Sequence, residues 1–313
     1  MAQPISNLSV GAKVKSPDTK YNGVPIVWQV GHKTVDRVKL ITERIITFKC
    51  FDAKEPSNPD SGRQNYGNNR YSVSNIDQWL NSTAGPGAWY SARHTYDAPP
   101  NNANVWDGYN EYDAEAGFPA NFEESFRNAI LDTTIRVVKP PVDGGAYEDI
   151  TRKVYLLSRT EVGLGNENGI AEGSKWDLFS DDNSRKAYPT AEAVSASEYT
   201  YLTWNWWLRT PRTDSSRDAG HVHPDGVLDL SSAHNGRLGV RPALELDSGI
   251  LVSDTPDIDG AYIIQWGAMP TLPNLKVYAN GIKAYKNGWA KVNGQLKRIT
   301  AMWTKINGQV KKI

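Results

Sequence analysis

Three blocks constrain this chain more than any other part of it: WNWWLRTP at 204–211, HVHPDGVLDL at 221–230 and GVRPALEL at 239–246. In an extended segment Trp204, Trp206 and Leu208 share one face, and Asn205, Trp207 and Arg209 share the other, so one face is expected to be core. Pro224, Asp225 and Gly226 supply turn chemistry between two strands. The SSAHNGR turn region at 231–237 then leads into a third strand carrying Arg241 and Pro242. Such a run must fold as hairpins closed by a returning strand. Indoles bury a large area, and arginines in a β-core bond carbonyls or pair with a carboxylate. Trp206, Trp207, Arg209 and Arg241 therefore read as scaffold.

The rest of the chain has similar grammar. AKVKS, VPIVWQVG and DRVKLITERIITFKCF alternate apolar and polar residues and predict N-terminal β-hairpins over about residues 8–50, with Asn22-Gly23 as one turn. Capping boxes at Ser74–Asp77, Asn121–Glu124 and Ser158–Glu161 predict three short helices, the last of them after the strand KVYLL. The fold class expected is α+β. The asparagine-rich segment at 98–121 reads as a surface loop, in keeping with the 26 Gly and 18 Pro of the chain.

At the C-terminal end, WAKVNGQLKRI at 289–299 and WTKINGQVKKI at 303–313 repeat in register, each as strand, Asn-Gly turn and return strand. The organisation predicted is a body at 1–266, a proline-containing linker at 267–275 and a small β-hairpin module at 276–313. Nine of the 35 Lys and Arg residues, and none of the 35 Asp and Glu, lie beyond Trp266. The neutral chain therefore joins an acidic body to a basic tail. The tail lysines sit at regular hairpin positions, where they guard strand edges, so nucleic acid is not the partner expected. So small a module gains stability by docking or oligomerising, and a homo-oligomer is expected.

Composition also excludes functions. Cys50 is the only cysteine, which removes intrachain disulfides and paired-cysteine metal knuckles. MAQPISNLSVGAKVK lacks the apolar core of a signal peptide, and no run of about 18 apolar residues occurs, so cytoplasmic synthesis without membrane insertion is expected. No GxSxG, HExxH or phosphate-loop pattern is present. Carboxylates such as Glu123, Glu124, Asp181 and Asp182 are as abundant as an acidic surface requires. No catalytic residue and no cofactor is assigned. His221 and His223 alternate along one strand near Asp225 and could in principle hold zinc or nickel, but without a supporting motif no metal is expected. Polar side chains crowd instead from Arg212 to the start of the second block and into the turn before the third: Arg212, Asp214, Ser215, Arg217, Asp218, His221, His223, His234, Asn235 and Arg237. Loops tethered to a rigid scaffold are the usual seat of recognition, and these ten form the predicted ligand-binding set.

WWLRTP, HVHPDGVLDL and GVRPALEL, preceded in order by YNGVPIVWQV, IDQWLN and KVYLLSRTEV, resemble an uncharacterised domain family of bacterial and phage proteins. That family is similar to the C-type-lectin-like fold of formylglycine-generating enzymes and of the variable proteins of diversity-generating retroelements. The resemblance implies a C-type-lectin-like body of short antiparallel strands and a few short helices, presenting changeable loops. It does not imply the oxidase activity, which works through cysteines late in the chain. The terminal hairpin repeat resembles endings of phage structural proteins. The function expected is that of a non-enzymatic virion surface protein of the tail or baseplate. It would contact other virion proteins and bind a host-surface ligand, such as a glycan. The alternatives are a purely structural capsid or baseplate decoration protein and an enzyme acting on cell-wall saccharides.

Overall fold

The computed structural model describes residues 2–197 and 202–266, then the strands 277–279, 282–284, 289–292, 295–298, 303–306 and 309–312. The chain divides into two compact units, Met1–Gln265 and Trp266–Ile313.

The first unit is α+β, built on two mainly antiparallel sheets. The six-stranded sheet runs, in spatial order, Val154–Tyr155, Ala243–Asp247, Arg37–Thr42, Trp28–Lys33, Lys13–Lys15 and Ala261–Ile263. The five-stranded sheet runs Leu228–Ser232, Asp218–Val222, Trp206–Pro211, Gly239–Val240 and Thr47–Phe48. Only Ala261–Ile263 against Lys13–Lys15, and Trp206 against Gly239, pair parallel within these two sheets. Asn22 and Gly23, at φ 50° and 81°, make the tight turn between Lys20–Tyr21 and Val24–Pro25. Both residues thus adopt the left-handed backbone that this dipeptide tolerates.

Two chain segments pass from one sheet to the other, and this explains the GVRPALEL block. Arg37–Thr42 lies in the larger sheet and Thr47–Phe48 in the smaller; Gly239–Val240 and Ala243–Asp247 make the reverse passage. At the crossing the buried Arg241 donates from Nε and Nη2 to the Thr42 carbonyl at 3.1 and 2.9 Å and lies over the Trp206 ring at 4.8 Å. Pro242, which has no N–H to lose, still accepts from Thr42 N at 3.0 Å. One guanidinium therefore ties the two crossing segments together.

The strand Trp206–Pro211 is buried along its whole length, and on both faces rather than one. The reason is that residues from outside the strand cover both faces, Phe179 and Arg241 the side of Trp206 and Phe51 the side of Trp207. Trp206 stacks on Phe179, while Trp207 meets Phe51 and His221 edge-on. Each indole N–H finds a carbonyl, Trp206 that of Arg185 at 3.0 Å and Trp207 that of Lys49 at 2.9 Å. Buried indoles with their one donor satisfied are foundation material.

None of the α-helices described exceeds seven residues, and no described helix is long and apolar enough to cross a membrane. Ser74 caps Asn75–Asn81, as its box predicts. The other two boxes behave differently. Glu124–Ala129 is entered through Glu123 without a side-chain cap, because Asn121 still belongs to the 3₁₀ turn Phe118–Asn121 that Pro119 initiates. Ser158 and Glu161 do exchange the reciprocal bonds of a capping box, at 3.2 and 2.9 Å. They close a single turn, however, since Gly163 at φ +75° turns the backbone away and Arg209 holds the Glu161 carboxylate. The helices at Ser61–Tyr66, Asp182–Arg185 and Ala191–Ser197 are additional. Segment 98–121 is irregular, but it is not merely a surface loop. Its Val105, Tyr112 and Phe118 are buried, with Tyr112 stacked on Trp89 at 5.3 Å.

In the second unit Val277–Ala279 pairs antiparallel with Ile282–Ala284, Trp289–Val292 with Gln295–Arg298, and Trp303–Ile306 with Gln309–Lys312. The predicted linker at 267–275 and the Asn-Gly turns of the repeat lie outside the described residues.

Candidate recognition surface

The ten predicted ligand residues fall into three places. Asp218–Val222 and Leu228–Ser232 form the expected hairpin, pairing Asp218 with Ser232 and Val222 with Leu228. His223 and Asp225 sit at its turn, with Nδ1 to Oδ1 at 2.8 Å. The other end of the hairpin carries Arg217 and His234. Five strand residues separate the two ends, roughly 17 Å at the usual rise.

His221 belongs to neither end. It is buried beside Trp207, its cross-strand neighbour, with Nε2 3.7 Å from an Asp229 carboxylate oxygen. Burial lowers its pKa to about 4. Among the described residues no group of three or more His, Cys, Asp or Glu side chains is placed to hold a metal ion.

The loop 212–218 is internally fastened. Arg212 grips Asp214 through Nε and Nη2 and holds that carboxyl below its usual range. Ser215 Oγ donates to Asp218 at 2.9 Å and accepts from the backbone N–H groups of Arg217 and Asp218. Beneath them the fully buried Asn69 points its amide nitrogen at the carbonyls of Arg212, Ser215 and Asp218, at 3.1, 2.9 and 2.8 Å. Asn235 also acts as a turn former, donating to Ser231 Oγ and accepting from Arg237 N–H, both at 3.0 Å. Arg212, Asp214, Ser215, Asp218 and Asn235 thus shape the loops.

Arg217, His234 and Arg237 do converge, on three rings that loop composition did not single out. Arg217 lies over Tyr66 at 3.9 Å, and Tyr66 meets His234 edge-on at 5.5 Å. His234 stacks on Trp106 at 6.2 Å, and Arg237 covers Trp106 at 5.2 Å and Tyr109 at 3.8 Å. The result is a continuous row in which Arg217 and Arg237 lie on the rings of Tyr66, Trp106 and Tyr109 and the imidazole of His234 joins Tyr66 to Trp106. Tyr66, Trp106 and Tyr109 are each between 38 and 40% exposed. The aromatic spacing in VWDGYNEY was the available signal, hidden inside a polar segment.

Backbone contacts fix the row. His234 N–H donates to the Tyr66 carbonyl and Trp106 N–H to the His234 carbonyl, both at 2.9 Å. Asn110 Nδ2 donates to the Gly236 carbonyl at 2.7 Å. A Cβ on Gly236 would fall 1.9 Å from the Tyr109 carbonyl oxygen, so only glycine admits this approach. Asp60 caps the helix that ends at Tyr66 by accepting from Arg63 N–H at 2.9 Å.

Two concavities lie elsewhere. One, of about 440 Å³, is bounded by Tyr21, Val24–Val27, Ile46 and Pro189–Glu192. The other, of about 510 Å³, is lined in part by Glu161, Glu172, Glu245, Arg209 and Tyr155, all of them buried. Its carboxylates are occupied: Glu161 by Arg209 at 2.5 Å, Glu245 by Arg37 at 3.0 Å and Tyr155 at 3.2 Å, and Glu172 by Val138 N–H at 3.0 Å and Thr210. Burial holds the Glu172 carboxyl above its usual range. Cys50 is buried as well, which pushes its thiol up and away from thiolate chemistry.

What the fold and surface define is an α+β scaffold of two sheets joined by crossing strands, with a ring-and-arginine row on loops at one hairpin end. Residues 36–248 match the family described as Domain of unknown function (DUF6273), and the chain belongs to that family. No curated protein and no solved structure matches it.

Proposed function

We propose that the chain is a non-enzymatic recognition protein of a phage virion tail or baseplate, whose body binds a host-surface saccharide on the row Tyr66–Trp106–Tyr109. The observation that carries this reading is the row itself: three half-exposed rings held by backbone bonds beside two guanidiniums. Tyrosine, tryptophan and arginine on pinned loops are the side chains that dominate binding surfaces, since they offer large contact area at small entropic cost. The C–H face of a sugar ring stacks on such rings, and the polar loop 212–218 stands next to them. The placement on a virion and the C-type-lectin-like likeness rest on the sequence resemblance. The non-enzymatic reading is supported by the polar cleft, whose glutamates are engaged by arginines, tyrosine and backbone.

Testing requires the full chain on a glycan array and on host cells, beside the Trp106→Ala variant. Binding that Trp106→Ala weakens at least about tenfold, with an unchanged melting temperature, is the expected result. Undiminished binding by the variant would remove the site. Antibody labelling of intact particles tests the location, and an interior position would favour the decoration-protein alternative.

A further inference from the structure

We propose that the ring row takes an acidic saccharide, its carboxylate meeting Arg237 while a sugar face stacks on Trp106. The inference rests on the recognition reading above and specifies its ligand class.

The charge on Arg237 has no anionic partner among the described residues of the body. Among the described residues Arg237 makes no salt bridge, and its Nε has no hydrogen-bond partner; the guanidinium is positioned by Tyr109 and Trp106 instead. Arg217 reaches only Asp218, at 3.8 Å, and lies flat on Tyr66. Between them His234 is nearly completely buried, with an unpartnered Nδ1. Burial lowers its pKa to about 4; Lys54 and Arg217 push the same way, opposed by Asp107. Lys54, Arg217 and Arg237 thus gather near the carboxylate of Asp107, on a body in which acidic residues outnumber basic ones. Guanidiniums elsewhere in this body are matched to carboxylates or carbonyls, as Arg63 is to Asp143 and Arg70 to Glu148. A neutral sugar could accept hydrogen bonds from Arg237 through its hydroxyls but would leave the guanidinium without a counter-charge. A carboxylate would gain charge-assisted bonds from it, about twice as strong as neutral ones. A nucleic acid would also be anionic and would also stack, but its backbone calls for a longer basic stripe than the three cations Lys54, Arg217 and Arg237.

The test is titration calorimetry of the full chain with a panel of uronic-acid and sialylated oligosaccharides, their methyl esters and neutral oligosaccharides. A single-stranded oligonucleotide is included. The acidic members should bind, the esters about tenfold more weakly, and added salt should narrow the gap. Arg237→Gln should abolish the preference for acid over ester, and Trp106→Ala should weaken both, with melting temperatures showing that each variant is folded. Equal affinity for acid and ester, still sensitive to Trp106→Ala, would overturn the charge inference and leave the recognition reading standing. No binding across the panel would overturn both. Tighter binding of the oligonucleotide than of any acidic saccharide would overturn the ligand class.

Discussion

Arginines play opposite parts in two regions of this body. Around the central strand, Arg209 and Arg241 are buried and direct their donors at the scaffold. Arg209 donates from Nε to the Arg136 carbonyl at 3.1 Å, from Nη1 to Leu156 at 2.8 Å and from Nη2 to Glu172 at 2.7 Å, and it also pairs with Glu161. On the ring row Arg217 and Arg237 also lie against aromatic faces, as Arg241 does over Trp206, but those rings are half-exposed, and among the described residues Arg237 engages neither a carboxylate nor a carbonyl through its guanidinium. The difference separates guanidiniums that fasten the scaffold from one that the proposed reading assigns to an outside ligand.

The largest effect expected from breaking the comparison is at Arg209. Replacing it with methionine keeps much of the volume but strips the buried Glu161 carboxylate of its counter-charge and three carbonyls of the donors that Arg209 supplies. Removing one partner of a buried pair costs about 3–5 kcal/mol, so Arg209→Met should lower the urea midpoint severely or prevent folding. A midpoint close to the native one would show that the cleft beside Glu161 hydrates the site, and Arg209 would no longer count as a fastener.

How much of this was legible in the sequence follows from which contacts are local. The hairpin from Asp218 to Ser232, the Asn22-Gly23 turn and the Ser74 cap are set within a few residues, and pattern alone finds them. The scaffold role of the indoles also reads from the strand pattern, although burial of both faces depends on Phe179, Arg241 and Phe51 from outside the strand. The Ser158 box shows the limit: its two hydrogen bonds form as written, yet a glycine two residues past the box and an arginine 48 residues away decide against a helix. The ring row was the least legible feature, because Trp106 and Tyr109 are held by His234 and Gly236 from the far end of the body. Polar flanking residues made them look like solvated loop.

An intermediate effect sharpens the boundary between the two regions, since His221 belongs by sequence to the loops and by burial to the core. Its folded pKa, lowered by burial to about 4, lies below the ordinary value of 6.5. Between those values the unfolded chain binds more protons than the folded one, so acidification through that window costs stability. Other buried groups titrate nearby, and the native chain is therefore compared with His221→Gln. As pH falls from 6.5 to 4, the native protein should lose about 2 kcal/mol relative to the variant. A difference that stays constant across the window would mean that His221 can reach water, placing it with the loops.

The smallest expected effect is at Arg237, and it tests the other side of the comparison. Its backbone holds the loop, N–H to Asn235 Oδ1 and carbonyl to Trp204 Nε1 at 2.8 Å, and a change of side chain leaves both bonds in place. What Arg237→Gln removes is the cation over Tyr109 and Trp106, worth about 0.5–1 kcal/mol at a half-exposed site. The urea midpoint should therefore shift by no more than that, several-fold less than for Arg209→Met. Fluorescence of the half-exposed Trp106 should change even where the midpoint does not, because the ring loses its covering charge. If Arg237→Gln instead unfolds the chain as readily as Arg209→Met, the guanidinium is a fastener after all. An external anion would then have no claim on it, and the contrast between the two regions would collapse into one buried network with an exposed edge.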